Sequence, residues 1–287
     1  MKKSRSLAIA FAVFIASGLS ALEWPVAEIK VRSFFGQRDE ARISGGIALA
    51  DADVVRASGN GKRVISIAQN GNMNGFPSTL GNAVIIAHDD GLLSVYGNLD
   101  SIDRVATHET LETGAILGSA GMSGWARQGE LIFQVIDKER KTMLNPMLVL
   151  PALPDSRGPV IKNVIAMSSS GQIAALGAAK FVRQGQYRLY ADIADTVDGS
   201  QAPLAPFRVS VLVNGSEAAS IPFEVLRAEG GKVYLDSPAY TTATVYSDPE
   251  RMFLGEITLN RGRADISVIA RDTAGNERTV LFSLQIE

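Results

Sequence analysis

The sequence predicts a mainly β protein of two domains. A chain of 287 residues is long enough for two cores of ordinary size. Its apolar runs are short and are broken by 27 glycines, and only 7% of residues are aromatic, a composition typical of short strands and many turns. Hydrophobic residues at 46% and charged residues at 20% allow a packed core and argue against disorder throughout the chain.

The first 21 residues have the form of a secretory signal peptide. A basic stretch at 2–5 precedes a short apolar run at 7–15, and small residues follow up to Ala21. Because that run is too short to span a bilayer comfortably, we expect cleavage and an exported chain without a stable membrane span. An uncleaved N-terminal anchor is the alternative.

The composition and motif content of the sequence exclude several functional classes. The sequence contains no cysteine, which excludes disulfides, thiolate metal sites and lipid attachment at a lipobox. The formal charge is −2 at pH 7, and no Lys/Arg-rich run follows the first few residues, so we expect no nucleic-acid partner. The sequence also lacks the motifs of serine hydrolases, P-loop nucleotide-binding proteins and HExxH metallopeptidases.

The first domain, residues 22–150, carries strand signals separated by polar or glycine-rich turns. The clearest is a hairpin within 80–99, in which two alternating strands flank Asp89-Asp90-Gly91. Segment 114–135 is punctuated by glycines and ends in an apolar run that predicts a buried strand. Further strands are expected at 23–31 and within 53–67, and an exposed polar loop is expected at 69–78.

Several of these segments, taken in order, resemble the lysostaphin/LytM-type zinc endopeptidases, which cut peptidoglycan cross-bridges. The resemblance covers about residues 30–150 and implies a β-sheet core like that of duplicated-hybrid-motif proteins. It is carried by Phe35-Gly36-Gln37-Arg38, by Gly46, Ile47, Leu49 and Ala50, by the hairpin at 80–99, by Gly121, Ser123, Gly124 and Phe133, and by Asn145-Pro146.

The same resemblance identifies the positions that bind and use zinc in the family. It places metal ligands at Ser44, Ala48 and Ile132, a neighbouring histidine at Glu130, and the proton-handling histidine at Asn98. Alanine and isoleucine have no donor atom, and neutral serine and asparagine are poor zinc ligands. We therefore expect no catalytic metal, no zinc cofactor and no peptidase activity.

What remains is a candidate binding groove. In active relatives the substrate peptide lies near the metal, and here Arg42, Ser44, Asn98, Glu130 and Gln134 would line the corresponding groove. These side chains offer hydrogen-bond donors and acceptors for peptide or glycan, or they only solvate a vestigial cleft. The expected partner is peptidoglycan or a cell-wall hydrolase, and the expected location is periplasmic or otherwise exported in a bacterial envelope.

Two other functions stay open. One is an active metalloendopeptidase with ligands outside the family pattern, which would need Glu130 together with His88 or with an aspartate from Asp51 or Asp53. The other is a structural role in envelope assembly, in which the first domain is only a spacer. Two isolated histidines, His88 and His108, are by themselves a weak metal signal.

A proline-rich linker at 151–159 precedes an all-β second domain, residues 160–287. Alternating strands at 187–193 and 207–213 and the type I′ hairpin signal Asn214-Gly215 indicate half-buried sheets. Short strands at this spacing, closed by the turn at 272–277, resemble bacterial immunoglobulin-like β-sandwiches. The other expected strands are 218–225, 232–236, 244–247, 255–260, 265–271 and 279–286.

Overall fold

A computed structural model describes residues 22–39, 42–69, 78–198 and 202–287. The predicted signal peptide and most of the predicted loop at 69–78 lie outside these ranges. The described chain is nearly all β, as predicted. Among the described residues, no helix combines the length and the apolar character that a membrane span requires.

The N-terminal half, residues 22–150, is organised around one long antiparallel sheet. Its central strand, β11, pairs with β4, β8 and β12, and the sheet continues from β8 through β7 and β6 to β9. The elements are β1 (Val31–Ser33), β2 (Arg38–Asp39), β3 (Arg42–Ile43), β4 (Ile47–Leu49), β5 (Val55–Arg56), β6 (Gly61–Ile67), β7 (Asn82–Ala87), β8 (Leu92–Leu99), β9 (Thr110–Leu111), β10 (Ile116–Gly118), β11 (Leu131–Asp137), β12 (Thr142–Leu144) and a 3-10 helix (Pro146–Leu148).

The alternation of β11 separates the two faces of this sheet. Leu131, Phe133 and Val135 are buried in the core, whereas Ile132 and Gln134 between them are partly exposed on the opposite face. Since successive strand side chains point to opposite faces, the face of Ile132 is the one that the sequence assigned to the degenerate metal site.

The C-terminal half, residues 160–287, forms two sheets around one apolar core. One sheet has the order β14-β13-β16-β21, and the other has the order β15-β23-β22-β17-β18. The immunoglobulin-like assignment stays a prediction. The elements are β13 (Val160–Ser168), β14 (Ile173–Ala175), β15 (Phe181–Val182), β16 (Gly185–Ala194), β17 (Arg208–Val213), β18 (Ser216–Pro222), β19 (Val225–Glu229), β20 (Lys232–Leu235), α1 (Thr242–Val245), β21 (Met252–Leu259), β22 (Gly262–Arg271) and β23 (Glu277–Ile286).

One predicted strand of this half is wrong. The segment expected as a strand at 244–247 instead contributes to the short helix α1, which begins after Thr241. The Thr241 hydroxyl accepts a hydrogen bond from the backbone N–H of Thr244, an N-cap interaction that favours a helical turn over an extended strand.

The two halves share a sheet. The hairpin β19–β20 was expected within the second domain, but it pairs with β12 and so extends the sheet of the N-terminal half. Each half also contributes to the other's core: Phe35 is buried in the C-terminal core, whereas Val197, Leu204 and Ala205 belong to the N-terminal core. The linker at 151–159 therefore joins parts that are already held together by packing.

Segment 34–38 forms a second set of contacts between the halves. The Arg38 guanidinium donates hydrogen bonds to the carbonyl oxygens of Tyr246, Asp248 and Pro249. In return, the Tyr246 hydroxyl donates to the carbonyl oxygen of Gly36 at 2.7 Å. A segment that the family resemblance places just upstream of the metal site is thus held by the C-terminal half.

Candidate functional site

Two of the three degenerate ligand positions meet at the centre of one sheet face. Ala48 on β4 lies directly opposite Ile132 on β11, and Gly97 on β8 lies opposite Ile132 from the other side. Residues paired across neighbouring strands share a face, with Cβ atoms roughly 5 Å apart. The register therefore brings Ala48 and Ile132 together, as the resemblance requires of these positions.

Ser44, the third position, is turned toward its own loop. Its hydroxyl donates a hydrogen bond to the carbonyl oxygen of Gly46 at 2.7 Å. The loop lies directly against β11, because a Cβ atom on Gly46 would sit 2.1 Å from the carbonyl oxygen of Phe133. The glycine that matches the family pattern is thus explained by close backbone approach, and the Ser44 oxygen is already engaged.

These residues do not fit a catalytic zinc ion. Such a site needs three protein donors and a metal-bound water, and at the family positions Ala48 and Ile132 supply none. In the part of the chain that the structure describes, the only group of three or more acidic or histidine side chains close enough for one ion is Asp155, Asp195 and Asp272, in the C-terminal half and its linker.

Glu130, the one strong donor at these positions, is committed to an ion pair. One carboxylate oxygen lies 2.9 Å from the Nε of Arg32, and the other accepts a hydrogen bond from the Arg127 backbone N–H at 3.0 Å. The Glu130 side chain is only 8% exposed, and Arg32 is its ion-pair partner. Sequence reasoning missed Arg32, and its spacing carries no signal for this pairing.

Asn98 is a buried structural residue, which differs from its expected place in the groove wall. Its Nδ2 lies within hydrogen-bond distance of the carbonyl oxygens of Gly121, Arg127 and Glu130, at 3.2, 3.0 and 2.7 Å. Its Oδ1 accepts a hydrogen bond from the backbone N–H of Gly124 at 2.8 Å. With no exposed surface and with φ at 63°, Asn98 holds the segment after β10 against the end of β8.

Other residues that carry the family resemblance reinforce the same junction. The Ser123 hydroxyl donates to the carbonyl oxygen of Leu99 at 2.6 Å and accepts from the backbone N–H of Asn82 at 2.9 Å. Gly81 has φ at 64°, and a Cβ atom there would lie 2.4 Å from the Ser123 hydroxyl oxygen. The retained motif therefore has a structural explanation that is independent of metal.

The face around Ile132 is largely apolar. Gln134 is paired with Val95, Val95 with Ile85, and Ile85 with Ile65, which forms a row across four strands. We refer to Ile65, Ile85, Val95, Ile132 and Gln134 as the apolar face. Ile65 is 47% exposed, and Gln134 contributes the one polar group of this set. The side chain of Arg42, the remaining predicted groove residue, lies outside the described residues.

The alternative metal ligands do not converge on Glu130. His88 is held by the carbonyl oxygen of Asn60 at its Nδ1 and by the hydroxyl of Ser94 at its Nε2, each at 2.8 Å. Since a carbonyl oxygen can only accept, Nδ1 carries the proton. Asp51 pairs with the Lys30 ammonium at 3.1 Å. Within the described ranges, these groups form no three-ligand cluster with Glu130.

Comparison with known proteins relates each half to a family. The model of peptidase family M23 matches residues 44–146, and a second family model matches residues 158–287. An uncharacterized protein of Treponema pallidum (strain Nichols) is 39% identical over 127 residues, which are 40% of this chain and 86% of that protein.

A second relative and two solved structures complete the comparison. The cell division protein DipM of Caulobacter vibrioides is 30% identical over 148 residues, which span 49% of this chain but only 22% of DipM. The SpoIIQ–SpoIIIAH pore-forming complex contains a chain 20% identical to this one, with a TM-score of 0.36 over 46% of this chain and 91% of that one. A zinc-containing peptidase from Vibrio cholerae is 22% identical, with a TM-score of 0.37 over 44% and 39%.

Proposed function

We propose that this chain, whose residues 44–146 match peptidase family M23, is an exported, catalytically inactive member of that family that acts by binding. The observation that supports this most directly is the pairing of Ala48 with Ile132, which puts two donor-free side chains where the family holds its metal. Ser44 and Glu130 do not compensate, because each is engaged within the fold. The protein therefore needs no zinc.

The character of the site favours regulation of a cell-wall hydrolase over recognition of cell-wall peptide. Peptide and glycan present many hydrogen-bonding groups, but Ser44, Asn98 and Glu130 already satisfy theirs internally. The apolar face instead offers the exposed Ile65 and the partly exposed Ile85 and Ile132 for burial against a partner, and such apolar contacts suit a protein. Similarity to the cell division protein DipM supports a role connected with cell division, although the matched part is 22% of DipM.

A restoration experiment tests the absence of zinc. We expect the chain from residue 22 to purify without zinc and the triple variant Ser44→His, Ala48→Asp, Ile132→His to gain about one zinc per chain. The matched control is Ser44→Gln, Ala48→Asn, Ile132→Gln, which has similar volumes and no comparable ligands. Stoichiometric zinc in the unmodified chain, together with chelator-sensitive cleavage of dye-labelled sacculi, would refute the proposal.

A second experiment tests binding through the apolar face. The protein alone should release no dye from labelled sacculi, but it should change the rate at which a purified cell-wall hydrolase releases it. Ile65→Asp should abolish that change, because it places a charge on the apolar face. Ile173→Asp is the control, since Ile173 is a similarly exposed strand residue in the C-terminal half. Equal effects of the two variants would argue against this face.

A further inference from the structure

An acidic cluster lies where the linker meets the C-terminal half. One carboxylate oxygen from each of Asp155, Asp195 and Asp272 lies within 4.8 Å of the other two. Asp155 is in the linker, Asp195 follows β16, and Asp272 follows β22. We refer to these three residues as the acidic cluster, which sequence reasoning missed because its members are far apart in the chain.

Asp195 gives this cluster an unsatisfied group. The residue is only 2% exposed, and its Oδ1 is buried without a hydrogen-bond partner. A buried carboxylate oxygen without a partner is costly, and nearby carboxylates increase that cost. Burial, followed by the charges of Asp272 and Asp155, raises the pKa of Asp195 to about 7. The charged form of the Asp195 carboxyl is therefore poorly solvated in this buried position beside two other acidic side chains.

The neighbouring side chains offset this charge only in part: the positive charge of Arg157 acts to lower the pKa of Asp155 and of Asp195, but it is outweighed by burial and by the other carboxylates. Arg157 is the nearby cation, but its Nε lies 3.3 Å from a carboxylate oxygen of Asp198, and its Nη2 donates to the carbonyl oxygen of Val197. Asn276 donates from its backbone N–H and from its Nδ2 to the two oxygens of Asp272, both at 2.8 Å. These two hydrogen bonds orient the Asp272 carboxylate, and because their donors are neutral amide groups they add no positive charge.

We propose that the acidic cluster binds a calcium ion. Its donors are all carboxylate oxygens, the ligands of hard cations, and it contains no nitrogen or sulfur donor that would favour zinc. Calcium binds oxygen at roughly 2.3–2.6 Å, so ligands on opposite sides of the ion lie roughly 4.6–5.2 Å apart. Oxygens that already lie within 4.8 Å of one another can close on such an ion with small movements.

The site would fasten the linker to the C-terminal half. Asp155 joins the cluster from the linker, and its carbonyl oxygen accepts a hydrogen bond from the Nδ2 of Asn276 at 3.1 Å. Ser156 and Arg157 are held by Asp198 beside the cluster. A calcium ion would thus link three chain segments, because their carboxylates, which repel one another, would each be attracted to the ion.

Thermal unfolding of the full exported chain tests the proposal. After treatment with a chelator, calcium should raise the unfolding midpoint saturably, by about 5 °C when it is present at about 100 times its dissociation constant. Asp195→Asn should weaken calcium binding at least about tenfold by isothermal titration, because it removes one of three anionic ligands. In the chelated protein the same variant should unfold at an equal or higher temperature, since it relieves repulsion.

Asp236→Asn is the matched control. Asp236 is exposed and has φ at 40°, a conformation that asparagine tolerates well, so this variant should respond to calcium as the parent does. No calcium-dependent shift at about 10 mM, above the range of weak extracellular sites, would overturn the proposal. Equal calcium responses of Asp195→Asn and Asp236→Asn would overturn the location, and a larger shift with magnesium would overturn the identity of the ion.

Discussion

Replacement of Asn98 with alanine should lower the free energy of unfolding by about 4 kcal/mol. The two amide protons of Asn98 are shared among three carbonyl oxygens, and its Oδ1 accepts one further hydrogen bond from the Gly124 N–H, so the side chain makes about three hydrogen bonds. Three hydrogen bonds lost within the fold cost roughly 1 kcal/mol each. The left-handed backbone conformation, with φ at 63°, adds roughly 1 kcal/mol for alanine.

Urea unfolding followed by tryptophan fluorescence and far-UV circular dichroism measures this loss. Asn98→Gly is the informative control, because it removes the same hydrogen bonds but relieves the backbone strain. We therefore expect the Asn98→Gly variant to be about 1 kcal/mol more stable to unfolding than the Asn98→Ala variant. Within a strand the order is normally the reverse, because glycine is less favourable there than alanine. A loss below about 1 kcal/mol for alanine, or the usual order of the two variants, would refute the structural role of Asn98.

Two further predictions concern the junction of the halves and acid stability. Gly36→Ala should cost about 3 kcal/mol in urea unfolding, because its Cβ would lie 2.5 Å from a ring carbon of the buried Phe223 and its φ is 75°. The backbone N–H and the guanidinium of Arg140 lower the pKa of Asp137 below its usual 3.8. The stability that this carboxylate contributes is therefore present above about pH 4 and is lost as the pH falls through the lowered pKa. Asp137→Asn should remove that acid-dependent part in a series of unfolding curves, and an unchanged pH dependence would contradict this reasoning.

The local elements of the fold were predictable where one short signal decides the structure. The turn at Asp89-Asp90-Gly91 joins β7 to β8, as predicted. Asn214 and Gly215 have φ values of 51° and 81°, which is the backbone of the predicted type I′ turn between β17 and β18. In each case the residues that determine the geometry are adjacent in the chain, so composition and order carry the information.

The pairing of β19 with β12 could not be predicted from the sequence. Met143 lies opposite Leu226, and nothing in either strand's alternation identifies a partner more than 80 residues away. The same limit applies to Phe35, whose apolar character predicts burial but not burial in the core of the other half. Domain boundaries predicted from linkers and local signals cannot show that each domain contributes residues to the core of the other.

The candidate site was predicted in its outline and not in its chemistry. The resemblance brought Ala48 and Ile132 to one place, and their register agrees with it. The orientation of Asn98 and Glu130 depends instead on loop carbonyls and on Arg32, all remote in sequence. Donor and acceptor types indicate what a side chain can bind, but only the fold decides whether that capacity is already used.

One segment of the N-terminal half connects the C-terminal core with the loop beside the apolar face. Phe35 is buried in the C-terminal core, and Arg38 is held by carbonyl oxygens of that half. Eight residues further along, Gly46 lies against the backbone of β11, next to Gln134. The described parts of segment 35–46 therefore contact the C-terminal core through Phe35 and the backbone of β11 through Gly46. A passive spacer would need no such connection, which is why we favour binding with regulation over a purely structural role.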